Sequence, residues 1–493
     1  MDTMDMRRTG PLPMRLRPRA RSVCLALVSI PALASISAFA SILAPASVSE
    51  AQTTTNSAAN LPGQSINFQA QTPREQPLLY GVDVGIGETD NVTLVPTDKV
   101  SQTIAITDFD FDLKKQSRRF DASAKGNFSY LDFLQNAYGG QFVGRFDGTA
   151  NFALLPERVI WVLQDSFGQA QIDPFLAVTP TNQENVNYVS TGPDVALRLG
   201  RTFFLDLSGR YARTTYDTSP FNSNRMFGSA ALGRALSARS NVSIDASFER
   251  VLFDDTVVNT DFNRSSGYGH YELQGARTDL IANLGITKVN QGSESITGPM
   301  AKLQVARKLS SASTLTLTVG RDLTDASMGF SSLQSGATGG IVTAPAAVTL
   351  TNYTVTYTSI DWEYVRNRTT FGVSGTWEKD SYDALPLQDL TRTNGQFRVE
   401  RRLMRALSAQ LLGSVYRSQY QNTDFAETDV RIGGALTFRE GRGLEIRLRY
   451  DHTSRAVSGV GSGFHENRAF LTIGYRPRLE QGDSNSPYSA PGA

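Results

Sequence analysis

Apolar and polar residues alternate with a period of two along most of the chain after residue 77. From residue 444 to 451, for example, Leu, Ile, Leu and Tyr alternate with Glu, Arg, Arg and Asp. Successive side chains of a β-strand point to opposite faces, so this pattern predicts strands with one apolar and one polar face. About twenty segments of about 10 to 15 residues carry it, whereas a strand of a soluble domain has about five or six. The length fits a tilted strand that crosses a bilayer.

The connections between these segments alternate in length. Residues 366–368 and 439–442 form short connections, whereas 172–185 and 324–350 form long ones. Short turns at one end and long loops at the other are typical of outer-membrane barrels. An open sheet in lipid would leave its edges unpaired at a cost of several kcal/mol per group. The sequence therefore predicts an all-β fold, a transmembrane antiparallel up-and-down β-barrel of about 20 strands, with 16 or 18 as alternatives.

The first 77 residues differ from the rest. Arginines at positions 7, 8, 15, 17, 19 and 21 precede an apolar stretch over 23–48, and a small-residue cleavage site follows near Ala51. This arrangement predicts a secretory signal peptide over 1–51, with a membrane anchor as the alternative. Residues 52–77 are predicted to be a flexible periplasmic leader, 78–477 the outer-membrane barrel and 478–493 a disordered C-terminal tail. The one cysteine, Cys24, would leave with the signal peptide.

Composition disfavours several classes of function. The chain has 48 basic and 47 acidic residues, whereas a nucleic-acid-binding protein usually has a basic excess, so we expect no nucleic-acid partner. The chain has three histidines and one cysteine, so few residues are available to form a zinc site or a Cys–His nucleophile pair. We therefore expect no catalytic residues, no metal and no cofactor. The expected partners are outer-membrane lipid and lipopolysaccharide, the barrel-assembly machinery and polysaccharide, and the expected location is the cell outer membrane.

Two stretches support a resemblance to a known group. Residues 80–92 read Tyr-Gly-Val-Asp-Val-Gly-Ile-Gly-Glu-Thr-Asp-Asn-Val, and residues 184–200 read Glu-Asn-Val-Asn-Tyr-Val-Ser-Thr-Gly-Pro-Asp-Val-Ala-Leu-Arg-Leu-Gly. With the strand pattern, they resemble the porin type 2 group of Gram-negative outer-membrane β-barrels, which includes barrels associated with PEP-CTERM and exopolysaccharide gene clusters. The resemblance implies a barrel and a link to exopolysaccharide export or secretion. One departure is that a polar tail follows the last predicted strand, whereas many such barrels end on an aromatic residue.

Charged residues on the polar faces of the last three strands are the candidate site. In an aqueous lumen they would form a selectivity surface or a constriction for a polar solute or an acidic glycan. The competing interpretation is interior ion pairing that supports the wall, because both signs occur in near-equal number. The lumen-lining candidates are Arg431, Glu445, Arg447, Arg449, Asp451, Glu466 and Arg468.

Three functions follow from these observations. The first is a porin-like outer-membrane channel linked to exopolysaccharide export. The second is a closed or plugged structural barrel or adhesin that scaffolds a surface-polysaccharide system, with loop 324–350 as the candidate plug. The third and most remote is an outer-membrane hydrolase that uses His270, His452 or His465 with a serine. The simpler interpretation is that these histidines are exposed in loops or at the rim, so we expect that the protein is not an enzyme.

Overall fold

The computed structural model describes residues 78–173, 175–325, 352–382, 386–441, 443–459 and 461–477. The predicted signal peptide, leader and C-terminal tail lie outside the described residues, and so does the predicted plug loop apart from Thr324 and Asp325.

The described chain consists of twenty β-strands joined in one antiparallel sheet, together with two 3₁₀ helices, Pro180–Asn182 and Pro386–Gln388. The strands are β1 (Leu79–Thr89), β2 (Gln102–Gln116), β3 (Phe120–Phe133), β4 (Gln141–Leu155), β5 (Val159–Gln171), β6 (Gln183–Leu199), β7 (Phe203–Tyr216), β8 (Ser223–Ser237), β9 (Ser240–Phe253), β10 (Phe262–Gln274), β11 (Thr278–Gln291), β12 (Glu294–Ser310), β13 (Ser313–Thr324), β14 (Tyr353–Arg366), β15 (Thr369–Ser381), β16 (Leu390–Arg402), β17 (Leu407–Tyr420), β18 (Ala426–Glu440), β19 (Leu444–Ser458) and β20 (Phe464–Tyr475).

The sheet closes on itself. Each strand pairs with the next one in sequence, and β1 pairs with β20 from Val82 opposite Tyr475 to Thr89 opposite Arg468. All the pairings are antiparallel, so the fold is an up-and-down β-barrel. This confirms the predicted fold class and the strand number of 20, and it excludes the alternatives of 16 and 18.

The two faces of the wall differ as the alternation predicts. On β1, Val84 and Ile86 point outward and are more than half exposed, whereas Asp83 points inward and is buried. On β11, the outward Leu284 has 72% of its surface exposed. An apolar outer belt on strands of this length is the architecture of a barrel that spans a membrane. Among the described residues, no helix has the length and apolar character needed to cross a membrane.

The barrel has a turn end and a loop end. At the turn end, β2 and β3 are joined by residues 117–119 and β18 and β19 by residues 441–443. At the loop end, β1 and β2 are joined by residues 90–101 and β5 and β6 by residues 172–182. The alternation of short and long connections matches the prediction, which assigns the turn end to the periplasm and the loop end to the cell exterior.

Candidate functional site: the inner wall of the barrel

All seven predicted site residues lie on β18, β19 and β20 and point into the barrel. They form ion pairs with one another. On β19, Arg447 donates to Glu445 at 2.6 Å, and Arg449 lies 2.6 Å from Asp451. The remaining pairs are Arg431 with Asp451 at 3.2 Å and Arg468 with Glu466 at 2.6 Å.

The positive and negative members of these pairs differ in exposure. The three carboxylates lie deep in the wall, because the side chains of Glu445, Asp451 and Glu466 are only 1–4% exposed. The four arginine side chains are 21–40% exposed. Arg439 on β18 follows the same rule, at 29% exposure beside Glu445. On β18, β19 and β20, therefore, guanidinium groups face the lumen and the carboxylates lie beneath them.

A second cluster lies at the turn end, where the barrel closes. Arg476 follows β20 and donates to Glu445 at 2.5 Å, to Asp83 on β1 at 2.9 Å, and to Asp110 on β2. All three carboxylates are buried. One guanidinium thus connects strands on both sides of the β20–β1 seam.

A third cluster lies at the loop end on the far part of the wall. Arg225 on β8 and Arg264 on β10 both bond to Glu249 on β9 and to Asp325, which follows β13. Asn352 also accepts a hydrogen bond from Arg264, at 2.9 Å. Burial alone would raise the pKa of the Asp325 carboxyl, but Arg225 and Arg264 together hold that pKa well below its usual value. The cluster fixes the end of β13 to strands that do not neighbour it.

The loop between β5 and β6 reaches across the loop end of the lumen. The ring of Phe175 packs against Tyr420 at 4.8 Å and against Phe425 at 5.0 Å between ring centroids. The carbonyl oxygen of Leu176 accepts a hydrogen bond from Arg455 on β19 at 3.3 Å. Because β5 and β6 neighbour neither β17 nor β19 in the sheet, these contacts cross the interior and narrow the opening.

Towards the loop end of the inner face, apolar side chains pack beside the charged cluster of Arg225 and Arg264. One group packs Val251, Phe262, Val289 and Leu323 together on β9, β10, β11 and β13. Similar groups lie under the β1–β2, β7–β8 and β17–β18 loops. Apolar packing and the ion pairs of Arg225 and Arg264 therefore both hold the loops against the wall at this end.

His270 is not placed as the general base of a hydrolase site. His270 lies on β10 and is buried, so the prediction of an exposed loop or rim position is wrong for this residue. Its Nδ1 bonds to Asn283 at 2.7 Å, while the hydroxyl of Ser243, directly opposite on β9, donates to Asp245 at 2.9 Å. The serine proton is thus directed to a carboxylate and away from the imidazole. In a nucleophile–base pair the serine would instead donate its proton to the imidazole.

His452 and His465 lie on β19 and β20 with their rings stacked at 6.2 Å. Nδ1 of His452 bonds to Asn467 at 2.8 Å. Among the residues that the structure describes, no group of three or more His, Cys, Asp or Glu side chains is placed to hold a metal ion.

Comparisons with known proteins give structural similarities of low identity. No protein-family model and no curated protein matches the sequence. The siderophore receptor PirA from Pseudomonas aeruginosa aligns with 10% identity and a TM-score of 0.39, over 82% of this chain and 81% of that chain. The FrpB iron transporter from Neisseria meningitidis aligns with 10% identity and a TM-score of 0.41, over 81% of each chain. Because the identities and TM-scores are this low, the role of this chain has to be inferred from its own lumen-facing side chains.

Two long-range contacts have no clear signal in the sequence. Phe175 lies in a predicted long loop, and nothing in its neighbourhood indicates a partner on β17. Arg476 lies at the predicted end of the barrel, and its partners Asp83 and Asp110 are 393 and 366 positions away in the sequence. The pairing of the seven predicted residues, in contrast, follows from their alternation and from the register of neighbouring strands.

Proposed function

We propose that this protein is a channel of the Gram-negative outer membrane that lets a hydrophilic solute pass along its charged inner wall. The observation that carries the proposal is the combination of a closed barrel, an apolar outer face and a stretch of inner wall on β18, β19 and β20 where guanidinium groups face the lumen. Charged side chains that line a hydrated pore are the means by which channels select solutes. Passage requires no covalent chemistry, so the proposed role is transport and not catalysis.

The solute that we propose is a polysaccharide, and the process is exopolysaccharide export or secretion. Two features support this choice. The sequence resembles the porin type 2 group, some of whose members are associated with exopolysaccharide gene clusters. The inner wall also combines guanidinium groups with hydroxyl and amide side chains, which suit the carboxylates and hydroxyl groups of a sugar chain.

The β5–β6 loop would then act as a gate. Across the lumen, Phe175 makes two aromatic contacts and Leu176 accepts one hydrogen bond. These contacts are weak enough for the loop to leave the wall and return. A docked loop narrows the opening and a released loop widens it. We therefore expect a channel that switches between conductance levels.

Planar-bilayer recording tests the proposed channel. Protein purified from membranes in detergent would be added to a bilayer after its fold is checked by the shift in gel mobility on boiling. Discrete, reproducible openings are the expected result. Silence from correctly folded barrels would contradict the channel proposal.

A closed scaffold or adhesin is the second candidate, and one observation favours it. The apolar groups and the β5–β6 loop together fill part of the loop end of the lumen. If the barrel is closed, deletion of residues 173–179 should create openings in a protein that is otherwise silent. If the barrel is a channel, the same deletion should enlarge openings that already exist.

A further inference from the structure

Five arginines form a continuous line along the inner wall. They lie at or directly opposite successive inward positions of β19, namely residues 445, 447, 449, 451 and 453. Because each step of two residues advances about 6.7 Å, the line extends about 27 Å along the strands. We call this set the arginine ladder; in order from the turn end it consists of Arg439, Arg447, Arg449, Arg468 and Arg431.

The ladder presents positive charge to the lumen although it is ion-paired. Glu445 is shared by Arg439 and Arg447, and it also pairs with Arg476. Asp451 is likewise shared, by Arg431 and Arg449. Since these two carboxylates lie beneath the guanidinium groups, a solute in the lumen meets N–H donors first. A guanidinium has five such donors, so one carboxylate partner leaves others for a ligand.

Neutral polar side chains lie beside the ladder. A recess that is open to the lumen is bounded by Arg439, Arg447 and Arg449, with the carboxylates Glu400 and Asp451 also in its lining. Its other lining residues include Ser408 and Gln410 on β17 and Thr437 on β18. Hydroxyl and amide groups beside forked guanidinium donors match a ligand that carries both hydroxyl and carboxylate groups.

We propose that the arginine ladder and this recess bind a carboxylated glycan, a linear sugar chain that carries uronate groups. The proposal rests on the proposed transport function and names its solute class. A single small anion would engage one rung, whereas a chain with repeated carboxylates engages several rungs at once and gains affinity from each. The line of rungs parallel to the strands suits an extended chain that moves through the barrel.

The test measures binding and does not depend on conductance. Isothermal titration calorimetry would use the full protein in detergent with hexagalacturonate as the probe. Maltohexaose serves as the neutral sugar and hexametaphosphate as a polyanion without sugar. We expect hexagalacturonate to bind, with an affinity that falls as salt rises, and to bind at least tenfold more tightly than either control.

The variant Arg447→Gln/Arg449→Gln removes two rungs without leaving a buried charge alone. Glu445 keeps Arg439 and Arg476, and Asp451 keeps Arg431 at 3.2 Å. We expect the Kd for hexagalacturonate to rise at least tenfold, because two guanidinium groups that donate charge-assisted hydrogen bonds to the ligand are lost. The matched control Arg213→Gln removes an arginine from an exposed pair with Asp254 and should leave the Kd unchanged.

A further variant separates charge from geometry. Arg447→Lys/Arg449→Lys keeps both charges but loses the planar fork, so it should weaken binding less than the glutamine variant does. Absence of binding by the unmodified protein, an unchanged Kd in the glutamine variant, or equal binding of hexametaphosphate would overturn the proposal. Binding without conductance would contradict the channel alone, and conductance without binding would contradict the glycan site alone.

Discussion

The guanidinium of Arg476 donates a hydrogen bond to Asp83 at 2.9 Å and so joins the end of the last strand to the first strand across 393 positions of sequence. The β20–β1 seam that it crosses is the shortest of the twenty strand pairings in the described barrel. A barrel in lipid must close this seam, because the backbone N–H and C=O groups of its two edge strands would otherwise lack hydrogen-bond partners. The side-chain bonds of Arg476 therefore supplement a backbone pairing that is shorter than at the other seams.

We predict that Arg476→Gln destabilises the barrel by about 3–5 kcal/mol, because Asp83 and Asp110 would lose an ion pair while they stay buried. Urea titration of the folded protein in detergent, followed by tryptophan fluorescence, measures the free energy of unfolding. Arg213→Gln is the control, since an exposed pair contributes about 0–1 kcal/mol. Equal losses in the two variants would mean that the seam does not depend on Arg476.

Asp325 gives a prediction for pH. Its pKa is lowered in the folded state by Arg225 and Arg264, which outweigh burial. A lowered pKa adds stability above the unfolded value of about 3.9, and this stability is lost as the pH falls from there towards the folded pKa. We therefore expect Asp325→Asn to destabilise the protein by about 3–5 kcal/mol at pH 7, and the difference from the unmodified protein to shrink below about pH 4.

Urea titrations at pH 7, 5, 4 and 3 would check this dependence. A difference between Asp325→Asn and the unmodified protein that stays constant down to pH 3 would contradict the assigned ion pairs. Asp254→Asn is the control at an exposed site, where the Arg213 hydrogen bonds lower the pKa of the carboxyl but solvent screens the pair. Its effect should be about 0–1 kcal/mol at pH 7.

The fold was predictable because its main determinant is local. Alternation at residues 444–451 assigns each side chain to a face without knowledge of any partner, and repetition of the pattern gives the number of strands. The ion pairs of Arg447 and Arg449 were predictable from the local sequence as well, because each arginine bonds to a carboxylate two positions away on the same strand. The use of these residues for selection or constriction stays a prediction.

Contacts between distant segments were not predictable in the same way. Leu176 and Arg455 are 279 positions apart, and their hydrogen bond depends on how a loop folds over the closed barrel. The burial of His270 depends on depth within the lumen, which an alternating pattern does not specify. The greater exposure of Arg449 than of Asp451 is also invisible in composition, because the longer side chain reaches past its shorter partner only once both share a face.

The β5–β6 loop gives a prediction for channel switching. Phe175→Ala removes two aromatic packings, each worth about 0.5–1.5 kcal/mol, so the ratio of docked to released loop should fall about tenfold. Planar-bilayer recordings should then show longer stays in the larger conductance level. Phe221→Ala is the matched control, since Phe221 packs on Tyr216 at the base of its own β7–β8 loop. Equal changes in both variants would mean that the opening does not depend on the contacts of Phe175.

The outer face gives a prediction about depth in the membrane. Leu284 lies in the middle of β11 on the outward face, and Leu280 lies on the same face four positions nearer the turn end. We expect Leu284→Arg to cost about 2–4 kcal/mol because an arginine at the bilayer midplane is poorly solvated, and Leu280→Arg to cost about 0–1 kcal/mol near the interface. Unfolding titrations in lipid vesicles measure both. In detergent micelles, where the apolar layer adapts to the protein, the difference should shrink. If the two variants lost the same stability in vesicles, β11 would not cross a bilayer with Leu284 at its centre.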